Sequence, residues 1–115
     1  MSIKIEDYYS RPTFQKMKAF ADQHETPFVV IDTATISQAY DDLRAGFEFA
    51  SVYYAVKANP AAPVLHSLAG LGSKFDAASL VEIDRCLAAG ADPADIAFGN
   101  TIKKQSDIAA AFALG

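Results

Sequence analysis

From Ser51 to Gly115, short apolar runs alternate three times with helical patterns, each unit about 22 residues long, the period of a strand–helix repeat. No other feature of the chain limits its fold so tightly. A helix between successive strands returns the chain to the same end of the sheet, so the strands run parallel. Parallel strands are covered by their helices and read as continuous apolar runs. Ser51-Val52-Tyr53-Tyr54-Ala55-Val56-Lys57 is such a run, stopped by Asn59-Pro60; a second strand, mixed in character, is read roughly from Lys74 to Ala77 and a third from Asp95 to Phe98. Proline stops a strand because it has no N–H to donate and restricts the residue before it. Between the runs, Pro63 opens a helix with Val64, Leu65 and Leu68, ended by Gly70 and Gly72. Ser79 with Glu82 three residues on is a capping-box pattern, and that helix carries Ile83 and Leu87 to Gly90. Asp92-Pro93 makes a turn, and Ser106 is read as the cap of a last helix with Ile108, Ala111 and Phe112.

Ahead of the repeat, residues 1–11 read as a short extended lead. Pro12 opens a helix with Phe14, Met17, Phe20 and Ala21 on one face. Thr26-Pro27 ends it, and Phe28-Val29-Val30-Ile31 reads as a strand buried on both faces. Asp32 and Thr33 cap a helix lined by Ile36, Ala39, Tyr40 and Leu43 and closed by Gly46.

No glycine follows the first strand of the repeat, where Lys57-Ala58-Asn59-Pro60 stands, so a nucleotide-binding α/β fold is disfavoured. The remaining candidate is a (β/α)8 barrel, which needs ~250 residues. Three units of a 115-residue chain cannot close one and would leave an apolar sheet edge. The expectation is an α/β chain forming the N-terminal part of a TIM-type barrel enzyme. Residues 1–32 would be a preceding helix and strand, and residues 33–115 the incomplete barrel. The rival is a small open α/β domain that buries its edge against a partner.

Composition narrows the partners. A net charge of −4 without a basic tract argues against nucleic acid. No apolar run approaches the ~20 residues of a membrane span, and the start of the chain lacks the apolar core of a signal peptide. Cys86 is the only cysteine, so no internal disulfide or thiolate metal site can form, and a cytoplasmic location is the simplest expectation. His24 and His66 stand alone on helices without metal-ligand spacing.

Parallel topology carries all three strand ends to one rim and brings Lys57, Asp76 and Gly99-Asn100 together there. A lysine shielded from water favours its neutral amine, a nucleophile that forms Schiff bases with carbonyls. The same lysine can instead reach out to solvent. Asp76 can pair with an amine or accept its proton, or order a loop. Glu82 is accounted for by the capping box, and Lys103 and Lys104 by a solvated loop.

Three motifs, in order and at matching spacing, carry a resemblance: Tyr54-Ala55-Val56-Lys57-Ala58-Asn59-Pro60, Phe75-Asp76-Ala77-Ala78-Ser79 with Glu82, and Phe98-Gly99-Asn100-Thr101-Ile102-Lys103-Lys104. They resemble the pyridoxal-phosphate enzymes of the alanine-racemase-like barrel fold. Within these, the chain is most similar to the ornithine/lysine decarboxylases, the short bacterial ornithine decarboxylases in particular. The similarity extends to Pro27–Asp32. It implies that Lys57 holds pyridoxal phosphate as a Schiff base. Ala55, two positions back on the same strand face, would lie against the cofactor ring, and Asp76 beside cofactor and lysine. Glu82 matches a nearby acidic position, and Asn100 and Lys103 would frame the site. The implied reaction converts L-ornithine to putrescine, in polyamine biosynthesis. The implied assembly is a homodimer in which a second subunit completes the site with a cysteine. Cys86 does not match that cysteine and reads as a small buried hydrophobe. Residues that stack on the ring, hold its phosphate and pair with its nitrogen would lie further along such chains, as would a β-domain pairing with Phe28–Ile31. The segment alone is expected to be inactive.

Other readings stay open. Lysine or diaminopimelate decarboxylases share the lysine stretch. Racemases of this fold follow their lysine with a Gly- and His-bearing motif that Asn59-Pro60-Ala61-Ala62 lacks. A cofactor-free Schiff-base aldolase and a non-catalytic α/β module are the remaining alternatives.

Overall fold

The computed structural model describes Lys4 and residues 8–115, so most of the lead read into residues 1–11 lies outside the described residues. The chain forms two compact units, Met1–Ile31 and Asp32–Gly115.

In the first unit, helix α1 spans Arg11–Ala21. Ser10 caps it, its hydroxyl accepting from Thr13 N–H at 3.4 Å, and Pro12 occupies the first turn, where its missing N–H costs nothing. His24 stacks on Phe20 with ring centroids 3.8 Å apart, and its Nδ1 lies 2.7 Å from the Phe20 carbonyl oxygen. Phe28–Ile31 is not a strand, contrary to the expectation: no described residue pairs with it, and Val29 is 86% exposed. An apolar run records a demand for burial, but a strand also needs a partner for its backbone groups.

The second unit begins with α2 (Thr33–Gly46), whose N-cap Asp32 accepts from Ala34 N–H at 2.9 Å. Then follow β1 (Tyr53–Ala55), a 3₁₀ turn (Val56–Ala58), α3 (Ala62–Gly70), β2 (Lys74–Ala77) and α4 (Leu80–Ala88). A second 3₁₀ turn (Pro93–Asp95), β3 (Ile96–Phe98) and α5 (Gln105–Ala113) complete it. The strands form one parallel sheet in the order β1-β2-β3. Ala55 stands opposite Asp76, and Asp76 opposite Ala97. Gly72 and Gly90, just past α3 and α4, have φ of 77° and 94°, a left-handed turn that reverses the chain into the next strand.

Helices α3 and α4 cover one face of the sheet. Along β2 the side chains alternate, Phe75 and Ala77 fully buried and Asp76 exposed. Phe75 meets Tyr54 of β1 edge to face at 6.5 Å, and the core continues into Val64, Leu65, Leu68, Ile83 and Cys86. The opposite face, carrying Tyr53, Lys74, Asp76 and Ala97, is open. That exposure leaves β1 less buried than a strand covered on both sides, and Tyr53 is 47% exposed.

Two boundaries differ from expectation. β1 ends at Ala55, so Lys57 sits in the turn beyond the strand, not on its last residue. α5 is capped at Lys104, and Ser106 lies in its first turn, its hydroxyl turned to Asp107. No helix among the described residues is long and apolar enough to cross a membrane.

Candidate functional site

The carboxyl ends of the three strands define the rim. Lys57 is exposed in the 3₁₀ turn after β1, and that turn packs beside β2. Its amine has no hydrogen-bond or ion-pair partner among the described residues, unlike the ammonium groups of Lys18 and Lys74, which pair with Asp22 and Asp95. The turn itself is well held. Val56 is fully buried beneath it. The Tyr54 hydroxyl donates to the Asn59 carbonyl oxygen at 3.2 Å, spanning the turn. Asn59 Oδ1 in turn accepts from Ala61 N–H at 3.1 Å, closing the approach to α3. Burial raises the Tyr54 phenol above its ordinary pKa of 10.0, so it stays a proton donor throughout the neutral range.

Asp76 reaches the open face between Ala55 and Ala97, its register neighbours. Its carboxylate rests against Gly99, whose N–H donates to the Ala77 carbonyl oxygen at 2.9 Å. A Cβ on residue 99 would collide with Asp76 Oδ1 and stand 2.8 Å from its Cγ. The Gly99 backbone is not left-handed, so the glycine serves the carboxylate and not a turn. Sequence reasoning missed this role; its visible trace is a glycine directly after β3, one strand over from an acid.

Other candidates lie apart from this pair. Glu82 is taken up by the helix start: its Oε2 accepts from Ala78 N–H at 2.6 Å, while Ser79 Oγ accepts from Glu82 N–H at 3.3 Å. Asn100 donates to the Ile102 carbonyl oxygen at 3.0 Å, and the Lys103 ammonium lies 5.1 Å from the centre of the Phe98 ring. Cys86 is buried in α4, where desolvation, with the Glu82 charge adding, pushes its thiol up to about 11. His66 Nδ1 lies 3.3 Å from the Ala89 carbonyl oxygen, and no cluster able to hold a metal ion occurs among the described residues. Ala55 and Lys57 share the rim, but the 3₁₀ turn between them breaks the strand alternation that was expected to put them on one face.

At the lower end of the open face, Lys74 pairs with Asp95 at 3.1 Å and stands 5.7 Å from the centre of the Tyr53 ring. The upper end is alanine, aspartate, alanine, with glycine beyond. The small side chains leave that end uncovered, Lys57 is exposed in the turn beyond β1, and the Asp76 carboxylate is exposed on the neighbouring strand. These residues fit a planar aldehyde cofactor with a polar ring.

The pyridoxal-dependent decarboxylase family, through the model of its pyridoxal binding domain, matches residues 33–115. The lysine/ornithine decarboxylase of Selenomonas ruminantium is 35% identical over 97 residues, 84% of this chain and 25% of that protein. The diaminopimelate decarboxylase of Vibrio cholerae is 38% identical over 96 residues, 82% of this chain and 23% of that protein. The crystal structure of a lysine/ornithine decarboxylase from Vibrio vulnificus, complexed with putrescine, superposes with a TM-score of 0.84 at 26% identity. That match covers 92% of this chain and 29% of the other. The chain thus spans about a quarter of the length of the relatives it matches.

Proposed function

Since the chain belongs to the pyridoxal-dependent decarboxylases through their pyridoxal binding domain, we propose that it is the N-terminal part of an enzyme that decarboxylates a basic amino acid, L-ornithine before others. The product is putrescine. Pyridoxal phosphate is the cofactor of this domain, and Lys57 is the residue that binds it covalently, with Ala55 and Asp76 bordering it. The observation that supports this assignment is an exposed lysine amine, without a partner among the described residues, in a braced turn at the carboxyl end of β1.

When bound, pyridoxal phosphate supplies an electron sink for the pair left on the α-carbon as carbon dioxide departs. The chain's own residues do the rest of the work assigned to this segment. Lys57 Nζ must lose a proton before it attacks a carbonyl. Asp76, for which Gly99 leaves room, places a negative charge on the same rim at the neighbouring strand. Ala55 and Ala97 keep the space beside Asp76 shallow. The Lys74–Asp95 pair fills the far end of the open face and keeps the small molecule at the rim. Asn100 and Lys103 frame the third loop.

The remaining groups of the site belong to the longer chain, so the segment alone is inactive. The exposed apolar residues Val29, Val30 and Ile31 support pairing of Phe28–Ile31 with a β-domain of that chain, with the barrel beginning after residue 32. The whole enzyme works in the cytoplasm as a homodimer whose second subunit completes the site. Ornithine is preferred on the motif resemblance. Diaminopimelate is the second reading, favoured by the Vibrio cholerae relative. Full-length enzyme assayed with L-ornithine, L-lysine and meso-diaminopimelate decides among them. The expected result is putrescine from ornithine at the highest kcat/KM. Turnover of diaminopimelate without ornithine would overturn the substrate, and no carbon dioxide from any of them would overturn the activity.

A further inference from the structure

We propose that Tyr54 is a positioning residue for Lys57: its hydroxyl, bonded to the Asn59 carbonyl across the intervening turn, fixes where the lysine amine stands. The inference rests on the reading of Lys57 as the cofactor-binding residue and goes beyond it to what places that residue. Lys57 has no side-chain partner among the described residues, so only its backbone sets its position. That backbone is a single 3₁₀ turn with no side-chain cap at its start. The turn is secured by Val56 below and by the Tyr54–Asn59 bond across it. The Tyr54 ring is itself fixed against Phe75, the largest fully buried side chain of the core. The hydroxyl therefore ties the reactive turn to the buried core of the sheet. Asn59 bonds forward to Ala61, so the same carbonyl-bearing residue is held from both directions.

Tyr54→Phe keeps the ring and its contact with Phe75 and removes only the donor. The turn then samples other conformers, and the fraction with the amine correctly placed falls. The experiment uses full-length apoenzyme mixed with pyridoxal phosphate, quenched at intervals with borohydride and mapped by peptide mass. Adduct on the Lys57 peptide is measured against adduct on the Lys104 peptide as an internal reference. For Tyr54→Phe we expect Lys57 trapping to slow about three- to tenfold, the range an ordinary hydrogen bond gives, with the Lys104 rate unchanged. A purely structural hydroxyl would lower the melting temperature and leave the Lys57 rate alone; that result overturns the proposal. A difluorinated tyrosine at position 54 covers the case in which the phenylalanine variant does not fold. Its more acidic phenol must make relative Lys57 trapping fall at a lower pH than in the tyrosine protein, and identical profiles would overturn the proposal. Absence of any Lys57 adduct in the unmodified enzyme would refute the reading of Lys57 itself, a separate outcome.

Discussion

Gly99→Ala separates stability from function at this rim. A Cβ at that position would stand 2.8 Å from Asp76 Cγ and 3.1 Å from Oδ2, and would overlap Oδ1. Non-bonded carbons prefer about 3.5–4.0 Å, so the carboxylate must move. The backbone at 99 is not left-handed and accepts alanine without strain. Asp76 is exposed, so it can swing aside without moving the sheet. An off-rotamer side chain costs about 0.5–1.5 kcal/mol, and replacing glycine returns about 0.4–1 kcal/mol by restricting the unfolded chain. The net change in stability is therefore below about 1 kcal/mol. Activity should fall much further, because misplacing a working group by about 1 Å costs on the order of 100-fold. The assay is kcat/KM for carbon dioxide release by the full-length enzyme, beside thermal melting, for Gly99→Ala, Asp76→Ala and the double variant. The expected result is a small melting shift, a large loss of activity, and a double variant no worse than Asp76→Ala. Two independent, multiplying losses, or full activity in Gly99→Ala, would refute the reasoning.

Three further outcomes follow from the same geometry. Ser79→Ala should lower stability by about 1 kcal/mol through loss of the α4 cap, read by denaturant melting with kcat unchanged. Phe75→Ala should cost about 3–5 kcal/mol, enough to reduce soluble yield. The Cys86 thiol, pushed up to about 11 from 9.0, keeps its proton when the unfolded chain loses it. Its contribution to stability is thus complete below pH 9 and is lost as pH rises toward 11. Cys86→Ala should flatten the decline in stability across that window, and alkylation of native Cys86 near pH 8 should be far slower than of the unfolded chain.

Local chemistry made much of this fold legible. β2 falls on the residues expected, because Lys74–Ala77 is bounded by a glycine turn and a capping box. The α4 cap reads directly from Ser79 and Glu82, three residues apart, although the Glu82 carboxylate accepts from Ala78 N–H in place of the Ser79 N–H of a full capping box. What local sequence could not show depends on contacts between strands. Gly99 resembles any loop glycine until β3 lies beside β2 and the Asp76 carboxylate takes its Cβ space. The Tyr54 hydroxyl looks like part of an apolar run until the 3₁₀ turn folds Asn59 back over it. The same turn explains the misplaced end of β1: Val56 is buried as a strand residue would be, yet its backbone has left the ladder. Phe28–Ile31 failed for the opposite reason, since its apolar character is plain but no described residue pairs with it.

Whether Lys57 carries the cofactor is decided by borohydride reduction of the full-length protein in pyridoxal phosphate, followed by intact mass and peptide mapping. One pyridoxyl adduct per chain is expected on the peptide containing Lys57, absent when cofactor is omitted and absent in Lys57→Ala. An adduct on another lysine, or none on a folded full-length chain, would contradict it.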